Sequence, residues 1–139
     1  MQNTPMDIPE DLLALRVVPV IVLSDAEHAL PLAETLVENG LPVAEVTLRT
    51  EAGLESIRRM AGVSGLHLGA GTVLTRDEAM RATDAGASFL VSPGLHEEVV
   101  EYAIEARIPV VPGVMTPSEI ARGMAYGLKT LKFFPSNLA

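Results

Sequence analysis

The chain has 139 residues, 48% of them hydrophobic and 20% charged, with no cysteine and a formal net charge of −8. That length holds one domain with a real core, and that composition argues against disorder. The charge has the wrong sign for neutralising phosphates, which excludes nucleic acid as a partner, and the missing thiols exclude disulfides and thiolate chemistry.

The N-terminus, "MQNTPMDIPEDLL", is acidic and lacks the basic-then-apolar order of a signal peptide. Asp7 and Pro9 within it predict a helix ahead of the first strand. The longest apolar run, Val17–Leu23, is far too short to cross a bilayer. Together these features predict a cytoplasmic protein with no membrane partner. Val17–Leu23 reads instead as a strand, followed by Val43–Leu48, Leu66–Ala70, Ser88–Val91, Ile108–Val111 and Leu128–Phe134. All are near-continuously apolar, as parallel strands covered on both faces require. Amphipathic segments lie between them. Ser24–Glu27, Thr75–Glu78 and Thr116–Glu119 match the S/T-x-x-E capping box, Pro117 suits a first helical position, and Gly40, Gly86 and Gly127 mark helix ends.

Gly40, Gly65, Gly86 and Gly127 each precede a strand. Five residues on they give Glu45, Ala70, Val91 and Lys132, and seven on they give Thr47, Thr72, Pro93 and Phe134. Residues two apart on a strand share a face, so these eight are expected at equivalent places near the C-terminal ends of four parallel strands. "VPG" at Pro112 echoes "SPG" at Pro93 and is expected to set those two prolines side by side. The unit of strand, loop and helix recurs about every 20–25 residues, as in a β/α array. An open doubly wound sheet and a (β/α)8 barrel both fit that array. Polar residues recurring at one strand height favour the barrel, whose sites lie at the C-terminal ends of its strands. The whole chain, 1–139, is read as one such domain.

Lys132 stands out, an amine between Leu131 and Phe133 in an apolar run. Desolvation there favours the neutral amine, the form that attacks a ketone. The alternative is a lysine that snorkels to solvent at a strand end. Glu45, at the matching height, suits a proton shuttle, or alternatively a structural ion pair with Lys132 or Arg49. The planar fork of Arg49 suits a substrate carboxylate, with Thr72 adding a hydroxyl and a backbone N–H; the alternatives are a capping arginine and a plain turn. "GAGT" at Gly69–Thr72 lacks the third glycine of a dinucleotide fingerprint, since residue 74 is leucine, and close approach at a strand end accounts for its glycines. His28, His67 and His96 have no metal-ligand spacing, and His28 and His96 fall on predicted helices.

The motifs "VVPVIV", "EVTLRT", "GAGTVL", "SPGL", "IPVVPGVMTPSE" and "LKFFP" occur in this order along nearly the whole chain. In this they resemble the 2-keto-3-deoxy-6-phosphogluconate and 4-hydroxy-2-oxoglutarate aldolases. The resemblance implies a (β/α)8 barrel, usually trimeric, that works without a metal or organic cofactor. It implies Lys132 as Schiff-base nucleophile, Glu45 as proton shuttle, Arg49 and Thr72 as ligands of the pyruvyl carboxylate, and Pro93 and Phe134 as pocket walls, with Arg16 also facing the site. A related class that cleaves the galactonate epimer carries "PLNS" where this chain reads "TLRT", so Thr47 and Arg49 favour the gluconate substrate. Two features depart from the family. The chain reads "FFPSNLA" where "FFPAE" is usual, and its predicted strands number six against the barrel's eight. Loops after strands seven and eight build the phosphate site of such barrels, so this chain alone is expected to handle a phosphorylated substrate poorly. A non-catalytic fragment that binds oxo-acids, or associates with itself through open edges, is the other functional class in play.

Overall fold

The computed structural model describes residues 4–138. Six parallel strands form one sheet in sequence order: β1 (Val20–Ile21), β2 (Val43–Thr47), β3 (His67–Gly71), β4 (Phe89–Ser92), β5 (Val110–Val114) and β6 (Lys132–Phe133). Helices α2 (Ala29–Glu38), α3 (Gly53–Met60), α4 (Arg76–Ala85), α5 (Glu97–Ala106) and α6 (Pro117–Ala125) alternate with the strands. A short helix α1 (Glu10–Leu15) precedes β1, as Asp7 and Pro9 led one to expect. The result is a partial β/α barrel, open between β1 and β6.

Two apolar layers hold it. The larger lies between strands and helices and joins Val46, Ala70 and Leu90 to Ala33, Ile57, Met60, Ala82 and Val100. The smaller fills the barrel's inside with Val43, Phe89 and Val91, and is covered by Ile8 and Leu12 around α1. The Asp11 carboxylate meets His67 Nε2 at 3.0 Å, at the start of β3. Lys129 Nζ donates to Asp7 at 2.6 Å. Both pairs sit at the N-terminal ends of strands, so α1 closes the end of the barrel opposite the candidate site.

Local sequence explains most of the boundaries. Thr75 and Thr116 cap α4 and α6 with reciprocal bonds to Glu78 and Glu119. Gly40, Gly65, Gly86 and Gly127 all take positive φ, which a side chain would resist. The box expected at Ser24 does not form; Asp25 accepts from the Glu27 N–H instead and opens a 3-10 turn over Ala26–His28. Asp reaches that amide two residues on, and the turn delays α2 to Ala29. Strand bounds also move. Only Val20–Ile21 of the first apolar run pairs, and only Lys132–Phe133 of the last, because each has one neighbour. β5 runs on through Pro112 and Gly113 to Val114.

Candidate active site

The ladders place Glu45 opposite Gly69, and Gly69 opposite Phe89. The same row continues through the β4–β5 and β5–β6 registers to Pro109 and then Leu128. Lys132 therefore lies four residues beyond Leu128, the residue before β6 that falls in the same row as Glu45. Yet its Nζ is 3.9 Å from Glu45 Oε1. The strands are tilted, so a level line around the barrel advances along the chain at each strand. A closed eight-stranded barrel has a shear of about eight, or about one residue per strand. Four strand steps from β2 to β6 give the four residues observed. The tilt brings amine and carboxylate together although their hydrogen-bonded rows differ.

Glu45 is 5% exposed, and burial pushes its carboxyl above the ordinary range, against the opposing pull of Lys132 and then Arg49. The 3.9 Å gap exceeds a hydrogen bond, so the pair is not locked together. Lys132 Nζ lies 4.6 Å from the centre of the Phe134 ring, a cation–π distance. Lys132 and Glu45 share a cavity of about 300 Å³ with Val18, Val20, Phe89, Val91, Val111 and Thr130. The cavity runs inside the barrel as far as Ile8, Leu12 and Leu13 in and around α1.

Arg49 follows β2 in a turn and donates from Nε to Thr72 Oγ1 at 3.2 Å. Thr72 has φ 57°, a left-handed conformation that ends β3 and re-aims the side chain. Arginine fork and threonine hydroxyl thus meet above the strand ends, on an exposed edge. Thr47 is fully buried and its Oγ1 has no hydrogen-bond partner among the described residues. Pro93 follows β4, and its carbonyl packs where a Cβ on Gly113 would come within 2.1 Å. That contact, with the pairing of Pro112 to Ser92, corrects the expected neighbours: Pro93 lies beside Gly113, not Pro112. A bond from Ser92 Oγ to the Gly94 carbonyl holds this turn.

Two further expectations change. Ala70 does not share the inner face with Glu45. It pairs with Val46 and packs in the outer layer, since the one-residue advance from β2 to β3 reverses the side that a residue faces. The inner face of β3 belongs to Gly69 and Gly71. Arg16 caps α1 in a left-handed conformation with its side chain exposed, four residues ahead of β1. It is not among the residues that line the cavity of Lys132 and Glu45. Of the histidines, His28 ends the 3-10 turn, His96 caps α5, and His67 pairs with Asp11. No group of three or more potential metal-binding side chains occurs among the described residues.

Sequence reasoning missed two neighbours of the pair. The Phe89 ring lies over Gly69, and the Glu45 carboxylate lies over Gly71. "GAG" signalled close approach, but the partners that approach are side chains from the adjacent strands.

In sequence and fold the chain is similar to known proteins. A family model described as "Aldolase: KDPG and KHG aldolase" matches residues 8–139. The KHG/KDPG aldolase of Escherichia coli strain K12 is 50% identical over 121 residues, covering 86% of this chain and 57% of its own length. The crystal structure of the 2-keto-3-deoxy-6-phosphogluconate aldolase of Zymomonas mobilis ZM4 is 40% identical with a TM-score of 0.85, over 93% of this chain and 64% of that one. The KDPG aldolase of Legionella pneumophila, solved with pyruvate captured as a covalent carbinolamine, is 38% identical with a TM-score of 0.82, over 87% of this chain and 59% of that one. The chain spans less than two thirds of the length of the curated relatives it matches. It belongs to the KDPG and KHG aldolase family.

Proposed function

From that membership, we propose that the chain carries the pyruvyl half of a class I aldolase site, with Lys132 as the Schiff-base nucleophile and Glu45 as the proton shuttle. The observation that carries this reading is the unlocked 3.9 Å approach of a lone amine to a buried carboxylate inside the barrel. The two groups are too far apart to share a hydrogen bond, so neither is committed to the other, and both line the same cavity.

Lys132 Nζ attacks the C2 keto carbon, and loss of water gives an iminium. The Arg49 fork and Thr72 hydroxyl hold the adjacent carboxylate, and Pro93, Phe134 and Thr47 shape the walls around it. Glu45, directly or through a water, takes the C4-hydroxyl proton. The C3–C4 bond breaks, its electrons move into the iminium to give an enamine, and an aldehyde leaves. Glu45 returns the proton to C3, and hydrolysis frees pyruvate and Lys132. A carboxyl raised by burial suits both halves of that proton cycle.

The substrates that fit this reading are 2-keto-3-deoxy-6-phosphogluconate, giving glyceraldehyde 3-phosphate, and 4-hydroxy-2-oxoglutarate, giving glyoxylate. Thr47 and Arg49 favour the gluconate over the galactonate epimer. A cytoplasmic homo-trimer completes the proposal. No helix among the described residues is long and apolar enough to cross a membrane.

The test is pyruvate release from 4-hydroxy-2-oxoglutarate, followed with a coupled dehydrogenase, for the wild-type chain and for Lys132→Met. Release that vanishes with Lys132 supports the reading. Release that persists undiminished in the variant overturns it.

A further inference from the structure

The inner face of β3 carries no side chain at two successive inward positions, Gly69 and Gly71. Neither glycine has positive φ, so backbone freedom does not account for them. The space where their side chains would be is occupied. A Cβ on Gly69 would lie 2.2 Å from the Phe89 ring. A Cβ on Gly71 would lie 2.2 Å from Glu45 Oε1, 2.8 Å from Cγ and 2.9 Å from Cδ. The Glu45 carboxylate thus rests directly on the Gly71 backbone, and the oxygen that rests there is the one 3.9 Å from Lys132 Nζ.

Resting on the reading of Lys132 and Glu45 given above, we propose that Gly71 is a positioning residue whose bare backbone seats the Glu45 carboxylate at its working distance from Lys132. A methyl group there cannot coexist with the carboxylate. The end of Glu45 must then shift within the cavity it borders with Val20, Val91 and Lys132. That move changes its distance to the reacting carbon. Displacements of about 1 Å near reacting groups can cost about a hundredfold in rate. Glu45 would then lose its proton transfer while Lys132 keeps its amine.

A double-substitution cycle on the whole chain tests this. Two steps are read separately: borohydride trapping of pyruvate at Lys132, and exchange of the pyruvate methyl protons in deuterated water by NMR. Exchange needs the enamine and hence the base; trapping needs only the imine. In Gly71→Ala, exchange should fall at least about tenfold and trapping much less. In the Glu45→Ala background the clash is gone, so adding Gly71→Ala should change exchange and melting temperature little, within about twofold for the rate. Should Gly71→Ala prove too unstable to fold while Glu45→Ala/Gly71→Ala folds, the steric seat is supported by that contrast alone. Wild-type exchange in Gly71→Ala overturns the inference, as does equal damage by Gly71→Ala in both backgrounds. A wild-type chain that neither traps nor exchanges pyruvate overturns the aldolase reading, and the inference with it.

Discussion

Strands β2–β5 and strands β1 and β6 draw on the same apolar residue types, and they end in opposite states. Val43, Val46 and Leu90 are fully buried, whereas Val20 is 49% and Phe133 52% exposed. The difference is one of neighbours. Each inner strand is paired on both sides and covered by helices. β1 and β6 have one partner each, and only two residues of each are paired. The candidate site spans this divide. Its carboxylate, the Gly71 backbone beside it and the Arg49–Thr72 pair belong to the sheltered arc, and its lysine belongs to an edge. Strand tilt, which supplies the four-residue stagger, is what makes one site of them.

The largest effect that separates the two regions should come from Glu45→Gln. This change keeps the shape of the arc and removes its base, so pyruvate methyl-proton exchange should slow by about 10²–10⁴ while the adduct at Lys132 still forms. Undiminished exchange would reduce Glu45 to an ion-pair partner. Next, Leu90→Ala in the arc should cost about 2–5 kcal/mol in chemical denaturation, since it leaves a cavity in a closed core. Val20→Ala on the edge should cost about 0.5 kcal/mol or less, as solvent-facing changes do. Equal costs would mean that the edge strand is covered in solution. Arg49→Ala should raise the pyruvate concentration for half-maximal trapping by about tenfold, the scale of one lost charge-assisted hydrogen bond. Equal loss for an oxo compound lacking the carboxylate would argue against the clamp.

The smallest effect is one of pH. Burial holds the Glu45 carboxyl above its ordinary range, so the folded state binds its proton more tightly than the unfolded chain does. Its contribution is fully present below the unfolded value and is lost as pH rises through the folded one. Glu45→Gln should therefore melt higher than wild type at neutral pH, with the gap shrinking as pH falls into the ordinary carboxylate range. A gap that widens on acidification would contradict the burial argument.

Much of this was legible in the sequence where the governing physics is local. The Thr75 and Thr116 boxes, the positive-φ glycines and the helix before β1 depend on a few adjacent residues, and each formed where the pattern put it. The inward residues Glu45 and Lys132 could be aligned by counting from Gly40 and Gly127, because each glycine fixes where its strand begins. Counting failed where geometry is collective. A fixed count puts Ala70 on the inner face because it ignores the advance of register from strand to strand. The same neglect puts Pro93 beside Pro112. The lengths of β1 and β6 were overestimated because an apolar run does not reveal that a pairing partner is missing. The seat at Gly71 was invisible because it consists of a side chain from another strand filling space that glycine leaves empty.

The proposed mechanism requires that Lys132, and not merely any accessible lysine, be the nucleophile. The chain offers its own control, since its only two lysines are Lys129 and Lys132. Lys129 is the more exposed, with its side chain 74% accessible and paired with Asp7. Reduction with borohydride in the presence of pyruvate, followed by fragmentation of the C-terminal peptide, should place the adduct on Lys132 and leave Lys129 unmodified. An adduct distributed by exposure, favouring Lys129, or absent from a folded sample, would contradict the account.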